Sequence, residues 1–92
     1  MERVTVRYLG RVQGVGFRAT AAHLAQGFEV TGFVRNVHDG SVELVAEGEP
    51  PELRKFLNAI ATQMGNKIVE QREQWEPIER RTFDRFTIEA SI

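Results

Sequence analysis

The sequence predicts an α+β sandwich, with two helices on one face of a mainly antiparallel sheet and the order strand, helix, strand, strand, helix, strand. Three observations predict it. Val4, Val6 and Tyr8 alternate with polar residues, Leu53 to Met64 carries an apolar stripe at helical spacing, and Asp39-Gly40 separates two strand-like runs. With 92 residues, residues 1–92 form one domain that buries a modest core.

The elements follow in chain order. Val4, Val6 and Tyr8 interleaved with Arg3, Thr5 and Arg7 give the period of two expected of a strand with one buried face. From Phe17, the positions Phe17, Ala21, Leu24, Ala25 and Phe28 follow helical spacing, and Gly27 is placed for a left-handed cap. Residues 30–35 and 41–46 read as strands joined by NVHDG, with Val42, Leu44 and Ala46 inward. Pro50 and Pro51 open a second helix, whose stripe of Leu53, Phe56, Leu57, Ile60, Ala61 and Met64 is the clearest periodic signal in the chain, and Gly65 stops it. Residues 66–82 fit neither period and suit an exposed edge strand. Phe86, Ile88 and Ala90 close with another strand. This is the ferredoxin-like split βαβ sandwich, written βαββαβ.

Composition narrows the function. Twelve Lys and Arg against 13 Asp and Glu leave a net charge of −1, so no overall field draws the chain to nucleic acid or an anionic membrane. The absence of cysteine removes disulfides, thiolate ligands and a thiol nucleophile. His23 and His38 lie 15 positions apart without a carboxylate at ligand spacing, so no metal site is expected. MERVTVRYLG lacks the pattern of a signal peptide and no stretch is long enough for a membrane span, so a cytoplasmic location is expected.

GRVQGVGFRA, residues 10–19, carries the chemistry. Gly14, Gly16 and Ala19 satisfy G-x-G-x-x-A, but the dinucleotide fingerprint needs a parallel sheet and an acidic residue ending its second strand, where this chain has Asn36 and a hairpin. A phosphate-binding Walker loop needs Gly-Lys-Ser or Gly-Lys-Thr, and neither occurs. The third reading is an anion nest. Backbone N–H groups of Gln13, Gly14, Val15, Gly16, Phe17 and Arg18 converge on one small anion, the helix start near Phe17 adds its dipole, and the Arg18 fork holds two phosphate oxygens. Against it stands a plain alternative, in which the glycines only make a tight turn and Arg18 pairs with a surface carboxylate.

Gly10, Val12, Gln13, Gly14, Val15, Phe17 and Arg18 resemble the first signature of the acylphosphatase family. Gly32, Phe33, Val34, Arg35, Asn36, Gly40, Val42 and Gly48 resemble its second, in residue type and in spacing. The resemblance covers the whole chain. It implies hydrolysis of the carboxyl-phosphate bond of acyl phosphates without metal or cofactor, by a monomer, with a small-molecule acyl phosphate as substrate and inorganic phosphate as product and inhibitor. It implies that Arg18 and Asn36 are the catalytic residues, Arg18 on the phosphoryl oxygens beside the loop of residues 13–18 and Asn36 positioning the attacking water.

Three positions depart from the pattern. Tyr8 replaces an aliphatic residue, which implies altered core packing; Thr20 replaces an aromatic common in the family, which implies a more open wall; Val37 replaces a hydroxyl residue, which implies a lost supporting hydrogen bond. Two other functions compete. RNA binding on the same topology would need aromatics on the central strands, which SVELVAE lacks, and a pI of about 6.1 opposes it. A non-catalytic phosphate- or carbamoyl-phosphate-binding domain would keep the nest without turnover.

Overall fold

The computed structural model describes residues 1–92, all of them in defined positions. The strands are β1 (Glu2–Gly10), β2 (Thr31–Asn36), β3 (Val42–Gly48), β4 (Ile68–Pro77) and β5 (Phe86–Ile88), and the helices are α1 (Phe17–Ala25) and α2 (Pro50–Met64). The sheet runs in the order β4-β1-β3-β2-β5. β1 pairs antiparallel with β3 and β4, β2 pairs antiparallel with β3, and β5 lies parallel to β2. The two helices pack on one face of this mixed five-stranded sheet.

Alternation decides which face is buried. Val4, Val6 and Tyr8 of β1 and Val42, Leu44 and Ala46 of β3 are fully buried beneath the helices, with Leu44 opposite Val6 and Ala46 opposite Val4. Leu53, Phe56, Leu57, Ile60 and Met64 form the buried stripe of α2. Ala61 does not join it, since it sits about 100° round the helix from Ile60 and is exposed. Tyr8 takes its place in the core by packing its ring, tilted by 56°, against Phe17, with ring centroids 4.7 Å apart. Its buried hydroxyl has no protein partner, and burial pushes its pKa well above the ordinary phenol value.

The structure differs from the sequence reading at three further points: the fourth strand, the last strand and the end of α1. A short 3₁₀ turn, Gly65–Lys67, leads into β4, a ten-residue edge strand that is the fourth strand of the split βαβ core. The last strand is therefore an added fifth, and it ends at Ile88, leaving Ala90 exposed outside the sheet. At the end of α1, Gly27 is not left-handed. The Gln26, Gly27 and Phe28 N–H groups donate to carbonyls three residues back at 3.0–3.2 Å, so the chain tightens and exits right-handed without a glycine cap.

Residues 78–85 cross from β4 to β5 over the sheet face that the helices leave open, and a buried carboxylate pins them. Glu47 Oε1 accepts from Thr82 N–H at 2.6 Å, and Oε2 accepts from Arg3 Nε at 2.8 Å. Burial acts to raise the Glu47 pKa, but the Thr82 and Arg3 donors prevail and hold it below the usual value. Phe83 then meets Phe33 edge-on at 5.6 Å.

Candidate active site

The glycine loop lies between β1 and α1. Gly14 and Gly16 have φ of 73° and 80°, and no non-glycine residue in the chain has positive φ. The signs of φ therefore alternate through residues 13–17, which turns successive N–H groups toward one side. A Cβ at either glycine would meet nothing within 4 Å, so glycine is needed there for its dihedral angles and not for space.

The amides of this loop are uncommitted. Among the backbone hydrogen bonds outside helices and strands, none has an N–H of residues 12–16 as donor. Phe17 begins α1, Gly16 supplies no side-chain cap, and the first turn holds no acidic residue, so the positive end of the helix is unopposed. Thr20 N–H closes the first turn on Gly16 O at 2.9 Å.

Buried anchors hold the loop. Val12 and Phe17 are both buried at its two ends. The Gln13 side chain faces away from the nest, and its Nε2 donates to Val37 O and Ser41 O, each at 2.8 Å. The sequence points to Gln13 through its backbone N–H alone. The side-chain contact ties the loop to the β2–β3 turn through the carbonyl of Val37, the position where a supporting hydroxyl is missing.

Gly14, Gly16, Phe17, Arg18 and Asn36 line one hollow of about 250 Å³, closed on another side by Ile88. Gln13 and Val15 belong to the loop without lining it. No carboxylate lines it. Arg18 takes no part in the ion pairs that engage Arg3, Arg7, Arg35, Arg54 and Arg72, so the pairing with a surface carboxylate does not occur. Asn36 ends β2 opposite Val42, and its buried Oδ1 has no hydrogen-bond partner. A residue with an unpaired guanidinium and one with a partnerless amide thus line a single hollow, beside a loop whose N–H groups are free. Such an arrangement holds a small, multiply charged anion and aligns a neutral molecule beside it.

Ile88 reaches this wall through the parallel pairing of β5 with β2, in which Ile88 stands opposite Val34. Beyond it, Glu89 N–H donates to Val34 O and Ile92 N–H to Asn36 O, extending the support to the Asn36 end of β2. No local signal in the sequence points to this contact. His23 and His38 are exposed, and Trp75 packs against the core with Arg54 over its ring at 5.2 Å.

The family model described as Acylphosphatase matches residues 4–88. The chain belongs to the acylphosphatase family. The acylphosphatase of Clostridium acetobutylicum is 48% identical to it over 69 residues, covering 75% of this chain and 74% of that one. That of Methanospirillum hungatei is 40% identical over 79 residues, covering 79% and 87%. In three dimensions, the crystal structure of acylphosphatase from Bacillus subtilis superposes with a TM-score of 0.85 at 31% identity, covering 96% of this chain and 98% of that one. The acylphosphatase fold therefore spans the nest, Arg18 and Asn36 together.

Proposed function

We propose that the chain hydrolyses the carboxyl-phosphate bond of acyl phosphates, releasing a carboxylate and inorganic phosphate. The observation that carries this reading is the unpaired Arg18 guanidinium sharing one hollow with the partnerless Asn36 amide and the free loop N–H groups. The phosphoryl group sits in the nest, with Arg18 and the N–H groups of residues 13–18 on its nonbridging oxygens. These donors are fixed before substrate arrives, so they stabilise the charge spread over the equatorial oxygens in a loose transition state.

Asn36 holds the water in line with the breaking P–O bond. Its amide accepts from the water and donates to it, orienting a lone pair toward phosphorus without any shifted pKa. The water oxygen forms the new bond to phosphorus, the acyl oxygen leaves with the electron pair of the old one, and the proton passes to a phosphoryl oxygen. A carboxylate is a good leaving group, so no general acid is required. Arginine and main-chain amides supply the positive charge, and we propose that neither metal nor cofactor takes part.

In this reading the protein works as a cytoplasmic monomer on a small-molecule acyl phosphate, and inorganic phosphate inhibits as the returning product. No helix is long and apolar enough to cross a membrane. The test is hydrolysis of benzoyl phosphate in excess EDTA with inorganic phosphate as inhibitor. Turnover with competitive inhibition is expected. Tight phosphate binding without turnover would replace the enzyme with a binding domain.

A further inference from the structure

A second concavity adjoins the hollow. It is an open groove of about 690 Å³ between α1 and β5, and it shares the wall residues Ala19 and Ile88 with the hollow, so the two lie side by side at those residues. Seven of its 12 lining residues are hydrophobic, which suits an apolar occupant. Asp84 and Arg85 on its rim carry opposite charges and exert little net pull on a charged one.

The groove exists because α1 is small on this side. Ala19, Ala22 and Ala25 line it, spaced three apart along one face of the helix. Its floor is firm. Phe28 and Phe86 line it, and both pack on the fully buried Phe56, at 6.0 Å and 5.4 Å between ring centroids. A groove already shaped in this way binds an apolar chain without reorganising.

We propose that this groove holds the acyl part of the substrate and favours long, apolar acyl chains. The inference rests on the hydrolytic reading above. With the phosphoryl group in the nest, the acyl group leaves the hollow at the junction of Ala19 and Ile88 and lies along Ala22 toward Phe28 and Phe86. Full burial of one methylene is worth about a fourfold gain in affinity, so even partial burial of a six-methylene extension gives about tenfold or more.

The experiment compares acetyl phosphate with octanoyl phosphate, whose leaving carboxylates have closely similar basicity, in wild type and in Ala22→Phe, which fills the groove. The octanoyl-to-acetyl ratio of kcat/KM is expected to fall by about tenfold in Ala22→Phe, with acetyl phosphate turnover kept within about twofold. A second measurement needs only wild type: octanoate should compete against acetyl phosphate at about a tenth of the concentration that acetate requires. An unchanged ratio in a folded Ala22→Phe, or octanoate no better than acetate, would overturn the groove assignment while leaving acetyl phosphate hydrolysis intact. Failure of wild type to hydrolyse either substrate would instead overturn the hydrolytic reading, and this inference with it.

Discussion

Gln13 Nε2 donates to the carbonyl oxygen of Val37 at 2.8 Å, joining the glycine loop to the residue that follows Asn36. The two halves of the site come from elements far apart in sequence, and this contact, with its companion to Ser41 O, fixes one against the other. Gln13→Ala should therefore lower kcat/KM by roughly 10-fold or more through misplacement alone, while costing only about 1 kcal/mol of stability, because the side chain is exposed. Gln13→Glu should not rescue it, since a carboxylate cannot donate to two carbonyls. Steady-state kinetics beside a thermal melt checks both.

Gly16 and Gly32 should fail in different ways. At Gly16 a Cβ meets nothing, so Gly16→Ala should fold with a loss of about 1 kcal/mol from the left-handed dihedral and a larger loss of phosphate affinity. Gly16→Val should be worse than Gly16→Asn, which tolerates that region. A Cβ at Gly32 would be driven directly against the Val45 carbonyl oxygen, so Gly32→Ala should not give a folded protein. Circular dichroism and phosphate titration of the set would reveal any equality between the two positions.

Glu47 holds the segment that leads to β5, and so to Ile88. Glu47→Ala leaves Arg3 without its buried partner and Thr82 N–H without an acceptor, a loss of about 3 kcal/mol. For a domain of this size that lowers Tm by about 10 °C or more. Hydrogen exchange at the Thr82 and Phe83 amides should accelerate before exchange in β1 does.

Glu73 gives the fold a measurable acid dependence. Arg54 grips its carboxylate with two hydrogen bonds, and Trp75 Nε1 and Gln71 Nε2 add two more; together they outweigh burial and bring its pKa down to about 2. The folded pKa lies below the unfolded value of 4.5, so the stabilisation is complete above pH 4.5 and disappears as pH falls toward 2. With Arg54 half-exposed, about 1–2 kcal/mol is expected at neutral pH. Glu73→Gln should lose that amount at pH 7 and flatten the denaturation midpoint between pH 4.5 and 2.

What could be seen in the sequence was what local spacing encodes. The alternation of Val4, Val6 and Tyr8 and the stripe from Leu53 to Met64 each follow one element's own period, and both are buried as those periods require. The turn of the glycine loop was legible because Gly14 and Gly16 mark dihedral angles that other residues avoid. β4 was obscure because an edge strand pairs on one side only, and its polar residues engage each other and α2, as Glu73 does, without leaving a clean alternation. The parallel pairing of β5, the buried Glu47 and the second role of Gln13 depend on partners 24 to 54 positions away, and no local period reports them.

The most direct measurement is hydrolysis of benzoyl phosphate in EDTA by wild type, Arg18→Ala, Arg18→Lys and Asn36→Ala, each shown to be folded. Loss of the bidentate fork or of the water-holding amide should raise the barrier by about 2–4 kcal/mol, a fall in kcat/KM of roughly 30- to 1000-fold, with Arg18→Lys closer to Arg18→Ala than to wild type. Undiminished turnover in both Arg18→Ala and Asn36→Ala would contradict the assignment of the reaction to this hollow.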